Sequence, residues 1–230
     1  MKKLFTTAWL AFAVAGFAAD EAALQPVADP KPILADLQQK MSSLKSVYLE
    51  FTQERRLKLF TDPLKSEGVM LIGRPDLIRW ETTAPYQSIL LGDQKSVAQF
   101  ESEDGVWKKL KLGFPQMLKR VMEQMALMNQ GKLDALTGDF TISVATNSTA
   151  AVLTLVPKDE NVRAMLASLE VRMPPNFSAT REVIMHEPGG DSTRIIFTRE
   201  RRNVEVPSGT FDQTKPTEVA AIRAAVGNAP

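Results

Sequence analysis

From residue 47 onward the chain keeps returning to one pattern: a short run of alternating apolar and polar side chains, then a turn. Val47, Leu49 and Phe51 alternate with Tyr48, Glu50 and Thr52. A period of two places alternate side chains on opposite faces and predicts a strand with one face buried. Further strands are expected over 67–72, 77–83, 86–91, 96–101 and 106–112. Gly73-Arg74-Pro75-Asp76, Gly92-Asp93 and Asp104-Gly105 mark turns between them. The pattern resumes over 140–145, 151–156, 169–173, 179–186 and 192–198, with a closing extended segment over 205–211. That makes about ten or eleven strands in antiparallel succession, too many for a flat sheet in one small domain, so the sheet is expected to curl toward barrel closure.

Two segments carry the helical period instead. Ile33, Leu34, Leu37, Met41 and Leu44 follow Pro32 at three- and four-residue spacing, predicting a short amphipathic helix over 32–45. Phe114, Met117, Leu118, Val121, Met122, Met125 and Met128 recur in the same way and predict a longer, Met-rich helix ending near Gly131. Several strands are apolar on both faces, at 69–72, 89–91 and 195–197, so one face needs a cover. A curved sheet covered by two helices leaves an apolar concavity, the usual form of a lipid or small-molecule site. The side chains expected to line it are Phe51, Met70, Ile72, Ile78, Trp80 and Leu90 from the strands and Leu118, Met122 and Met125 from the second helix. A flexible, polarizable Met face serves either as ordinary core or as an adaptable wall, and the two roles are compatible. Trp80 reads equally as a core or a wall residue. Arg74, between Gly73 and Pro75, is either a solvated turn residue or a cation at the sheet rim that bonds the unpartnered carbonyls at a helix C-terminus.

Composition narrows the function classes. The 28 Lys and Arg nearly balance the 27 Asp and Glu, and no cysteine is present. Neither a nucleic-acid partner nor thiolate chemistry is indicated, and no disulfide supports the fold. Residues 1–18 read as a signal peptide: Lys2 and Lys3 precede an apolar stretch too short to span a bilayer, and Gly16-Phe17-Ala18 offers small residues for cleavage. The expected organisation is then a flexible leader over 19–31, a single domain over 32–216 and a frayed, Ala-rich tail over 217–230. An enzyme is not expected. His186 is the only histidine, beside Glu187 in a turn-like stretch, and no nucleophile elbow or metal-ligand cluster occurs. No cofactor is implied.

Phe51-Thr52-Gln53, Gly73-Arg74-Pro75 and Arg79-Trp80 before Pro85 form an ordered set that resembles the LolA family of periplasmic lipoprotein carriers. Leu153-Thr154-Leu155-Val156-Pro157-Lys158 and Gly209-Thr210-Phe211 extend the resemblance over nearly the whole mature chain. It implies a mainly β fold: an unclosed antiparallel β-barrel covered by short and medium α-helices, the helices forming a lid. It also implies a monomeric periplasmic carrier that takes the acyl chains of a lipoprotein or other lipid from an inner-membrane ABC-type donor to an outer-membrane acceptor. In that family the aromatic of Phe-Thr-Gln falls on Phe51, the cavity-lining Trp on Trp80 and the lid-latching Arg on Arg74. The regular, Met-rich second helix departs from the lipoprotein carriers and looks more like divergent LolA-like carriers found beside lipid, polyene or glycolipid biosynthesis functions. A periplasmic sensor or interaction module that binds a regulatory protein is the alternative with the same fold.

Overall fold

The computed structural model describes residues 23–93, 95–111, 127, 132–216 and 219–227. Its frame is one twelve-stranded sheet. The strands are β1 (Gln25–Pro26), β2 (Ser46–Arg56), β3 (Leu64–Gly73), β4 (Leu77–Ala84), β5 (Ser88–Gly92), β6 (Val97–Glu103), β7 (Val106–Lys109), β8 (Phe140–Thr146), β9 (Ala151–Pro157), β10 (Ser168–Met173), β11 (Glu182–His186) and β12 (Ser192–Arg202). The described helices are α1 (Lys31–Ser42), α2 (Leu133–Asp139), α3 (Glu160–Arg163) and α4 (Val219–Gly227). Every pairing is antiparallel, in the order β1-β8-β9-β10-β11-β12-β2-β3-β4-β5-β6-β7. β1 and β7 stand at opposite ends, so the sheet is not closed into a barrel.

The turn chemistry places most of these strands where the sequence predicts them. The twelfth strand, β1, comes from the segment expected to be a flexible leader: Gln25 and Pro26 pair with Thr146 and Ala145, and the Val27 N–H donates to the Val144 carbonyl. A two-residue strand carries too little alternation to be seen in sequence. Pro32 suits the start of α1, whose Leu34 and Leu37 are buried. α3 follows β9, and Asp159 caps it by accepting from the Asn161 and Val162 N–H groups.

The ladders sort the core into two faces. On the first, Val144, Leu153, Val171, Val183 and Ile195 are successive partners across β8 to β12, and Leu49, Met70, Trp80 and Leu90 are partners across β2 to β5. Leu34 and Leu37 of α1, with Leu133 and Leu136 of α2, join Val144, Leu153 and Val171 in one buried cluster on this face.

The second face corrects the expectation that it meets solvent. Tyr48, Val69 and Leu71 are buried there, so β2 is covered on both sides. The cover is the C-terminal segment. Residues 204–207 follow an irregular path and 208–211 form a turn, where a closing extended segment was expected. Val204 and Phe211 from this stretch pack with Ile222 and Val226 of α4 against Tyr48, Val69 and Leu71. The expected frayed tail is therefore helical over 219–227. Ile222 and Val226, four apart, bury one stripe of an otherwise Ala-rich sequence, and Ala has high helix propensity. Farther across the sheet, Ser96 and Lys109 donate to Gln213, at the side-chain and backbone oxygens respectively.

A buried ion pair fastens this cover. Arg79 and Glu81 share the second face of β4; Arg79 is fully buried and Glu81 nearly so. Arg79 donates from Nε and Nη2 to Glu81 Oε2 at 2.9 and 2.5 Å and from Nη1 to the Thr210 carbonyl at 3.0 Å. A fork of donors fixed in a plane lets one side chain satisfy a carboxylate and a loop carbonyl together.

Candidate functional site

The first face holds a second apolar cluster centred on β2, β3 and β4. Its buried members are Leu44, Val47, Leu49, Phe51, Met70, Ile72, Ile78 and Ile195, and Trp80, Leu90, Val97, Met185 and Phe197 pack against it half-buried. All six strand residues expected to line an apolar site fall here: Phe51, Met70, Ile72, Ile78, Trp80 and Leu90. The pleat explains the grouping. Met70 and Ile72 alternate with Val69 and Leu71, and the partners Met70–Trp80 and Ile72–Ile78 carry the same face onto β4. The Phe51 and Trp80 rings meet edge to face, with centroids 5.3 Å apart and planes at 66°. Phe51 is 2 % exposed, whereas Trp80 is half-buried, so the pair runs from core to surface. Leu118, Met122 and Met125, the helical residues expected to line the same site, lie outside the described residues.

Sequence reasoning did not name Val47 and Leu49 as members of this cluster although they share the alternation of Phe51. It also missed Met185, Ile195 and Phe197. Phe197 pairs with Phe51 across the β12–β2 ladder, a neighbour 146 positions away that no local pattern reveals.

Arg74 sits in the 74–76 turn between β3 and β4, at the end of the cluster nearest α1. Its N–H donates to the Lys45 carbonyl at 3.0 Å, and Nη2 donates to the Met41 carbonyl at 3.0 Å. Met41 lies in the last turn of α1, where carbonyls lack the regular helical donor; its oxygen also accepts from the Leu44 N–H at 3.1 Å. A fixed cation there also opposes the negative end of the helix dipole.

Tyr48 lies behind the cluster on the second face. Burial first, then its hydrogen bond to Glu50 Oε1 at 3.0 Å, pushes its phenol up to about 12. His186 ends β11 with Nε2 3.3 Å from Glu170 Oε1, an ion pair when protonated. Among the described residues no group of three or more His, Cys, Asp or Glu is placed to hold a metal ion, and no helix is long and apolar enough to cross a membrane.

This arrangement can sequester apolar matter on one face of an open sheet, while the other face is covered at Tyr48, Val69 and Leu71 by the chain's own C-terminal segment. The outer-membrane lipoprotein carrier protein of Pseudomonas entomophila (strain L48) is 24% identical over 186 residues, 80% of this chain and 84% of that one. Its counterpart in Pseudomonas fluorescens (strain Pf0-1) is 26% identical over 186 residues with the same coverage of both chains. A LolA superfamily protein of known structure from Nitrosomonas europaea aligns with 82% of this chain and 99% of its own, at a TM-score of 0.44 and 10% identity. The family model described as outer membrane lipoprotein carrier protein LolA matches residues 42–214, well over half of the sequence, and the chain belongs to that family.

Proposed function

We propose that this protein is a periplasmic carrier that holds the acyl chains of a lipoprotein or other lipid against the Phe51–Trp80 face and moves them between membranes. The observation that supports the reading most is the confluence of Phe51, Met70, Ile72, Ile78, Trp80 and Leu90 in one apolar cluster on one face of an unclosed sheet. Hydrophobic burial supplies the driving force. Each methylene removed from water contributes about 0.8 kcal/mol, so half of a sixteen-carbon chain supplies on the order of 6 kcal/mol before binding costs. The signal peptide expected over 1–18 and the lipoprotein carriers among the relatives support a periplasmic location. An inner-membrane ABC-type donor and an outer-membrane acceptor are its partners, and it works as a monomer.

In the same proposal Arg74 is the latch of α1. A single charge-assisted hydrogen bond contributes roughly 1.5–3 kcal/mol net. That is less than the burial of an acyl chain returns, so cargo entry can break this contact at the C-terminal end of α1, whose Leu34 and Leu37 are buried in the neighbouring cluster.

The test uses the mature protein carrying Trp107→Phe, which leaves Trp80 as its reporter. Incubation with a synthetic triacylated lipopeptide is expected to give a one-to-one complex by native mass spectrometry and a blue shift of Trp80 emission. Absence of a complex, with the Trp80 spectrum unchanged at saturating lipopeptide, would overturn the proposal.

A further inference from the structure

A cleft of about 430 Å³ opens beside the apolar cluster, between the approach to β11 and the end of β12. It is lined by residues 178–181, Phe197 and Thr198, and the charged run Arg199, Glu200 and Arg202. Strand register decides which of these charges face the cluster. The Phe197 N–H donates to the Arg181 carbonyl at 3.0 Å, continuing the β11–β12 ladder by one pair, so Arg181 shares the face of Phe197. Phe197 in turn pairs with Phe51. A bulge between Phe197 and Arg199 then resets the alternation, and Glu200 and Arg202 come opposite Leu49 and Val47. Arg199 is turned to the other face, where Nη1 lies 3.5 Å from Glu50 Oε1.

Two arginines and one glutamate are thus set against the edge of an apolar face. Arg202 is committed: Nε donates to Glu200 Oε1 at 2.5 Å, and Nη2 donates to the Ser178 carbonyl. Arg181 is not. Its backbone is tied at both ends, the N–H to the Arg172 carbonyl and the carbonyl to Phe197, but its guanidinium meets no acidic or carbonyl oxygen among the described residues. The cleft therefore carries one uncompensated cation on a fixed backbone, next to hydroxyls at Ser178 and Thr180 and continuous with the apolar cluster through Phe197; the Thr198 hydroxyl donates to the Glu50 carbonyl.

We infer that this cleft is a headgroup site for an anionic amphiphile: a phosphate or carboxylate binds Arg181 and the neighbouring hydroxyls while the acyl chain runs over Phe197 onto the Phe51–Trp80 face. The inference rests on the carrier reading above and names the chemistry of the cargo. A guanidinium suits such a group because it stays charged and presents its donors as a planar fork. The charge sits at an open cleft rather than in the core, so the contact weakens with added salt.

The experiment compares three probes on the mature protein at low ionic strength: 1-palmitoyl-glycerol-3-phosphate, 1-palmitoylglycerol and inorganic phosphate. The phosphate amphiphile is expected to bind at least about ten-fold tighter than its neutral counterpart, the fold-change that one charge-assisted contact supports. Arg181→Gln is expected to remove most of that difference while leaving palmitoylglycerol affinity unchanged, and Arg181→Lys to restore part of it. Equal binding of the two amphiphiles to the wild type overturns the headgroup site and leaves the carrier reading standing. Failure of both amphiphiles to bind overturns the carrier reading and this inference with it. Inorganic phosphate that binds as tightly as the phosphate amphiphile also overturns the inference, since the cleft would then serve a free anion. Equal loss of affinity for both amphiphiles in Arg181→Gln would reduce the residue to a structural role and overturn the assignment.

Discussion

The close approach of β3 to β4 beside Phe51 can be tested by adding one methyl group. A Cβ at Gly68 would lie 1.9 Å from the Glu81 carbonyl oxygen, 2.9 Å from its carbon and 2.8 Å from Phe51 Cζ. The shortest carbon–oxygen contacts tolerated between neighbouring strands are about 3.3 Å, so strand β4 must retreat by roughly 1.4 Å at this point. The obstacle is backbone, held by the β3–β4 ladder at an irregularity between Glu67 and Gly68, and no rotamer change relieves it. Overpacking a rigid site costs about 1–3 kcal/mol when side chains yield. Here the ladder and the buried Glu81 must yield, so Gly68→Ala is expected to cost at least about 3 kcal/mol. The loss should be read in the Trp107→Phe background by urea denaturation followed at Trp80, with an unchanged m-value. Gly138→Ala is the control: that glycine lies in α2, with open space around an added Cβ, and Ala there is expected to stabilise by about 0.4–1 kcal/mol. A Gly68→Ala protein within 1 kcal/mol of wild type would refute the argument that this contact fixes the register behind Phe51 and Trp80.

Other perturbations follow from named contacts. Arg74→Leu removes the donor to the Met41 carbonyl and is expected to change the rate of lipopeptide uptake or release, with a stability loss of about 1.5–3 kcal/mol; transfer at the wild-type rate would rule out a latch. Ile222→Ala, at a fully buried position under the sheet, should cost roughly 2–5 kcal/mol in denaturant while lipopeptide affinity at low temperature is retained, because Ile222 packs on the face opposite Phe51. Tyr48 titrates at about 12 in the folded protein against an ordinary 10.0, so the folded state holds this proton more tightly. Its contribution is complete below pH 10 and is lost as pH rises toward 12, on the order of 2–3 kcal/mol across that window. Tyr48→Phe is expected to flatten the alkaline limb of the stability profile, and an unaltered slope would show that Tyr48 is not its source.

What the sequence alone determined, within the described residues, was the set of elements carried by a clear local period. Alternation in β2, the turn at 74–76 and the helical spacing of Leu34 and Leu37 specify their elements, because side-chain direction in a strand or helix repeats within a few residues. The same alternation separated Met70 and Ile72 from Val69 and Leu71, and so named six of the thirteen residues of the apolar cluster before any pairing was known. The place of Arg74 between Gly73 and Pro75 marked it as a turn residue and left open whether it was solvated or bonded a helix end. Tertiary structure decided what each face meets. Nothing local announces that Arg79 and Glu81 seal a buried face by holding the Thr210 carbonyl, or that Ile222 and Val226 turn an Ala-rich tail into a helix lying under Tyr48. A short amphipathic segment gains its stability from the surface it covers, and that surface belongs to strands far away in sequence. The same holds for Arg181: its relation to Phe51 exists only through β12, whose bulge selects which arginines face the cluster.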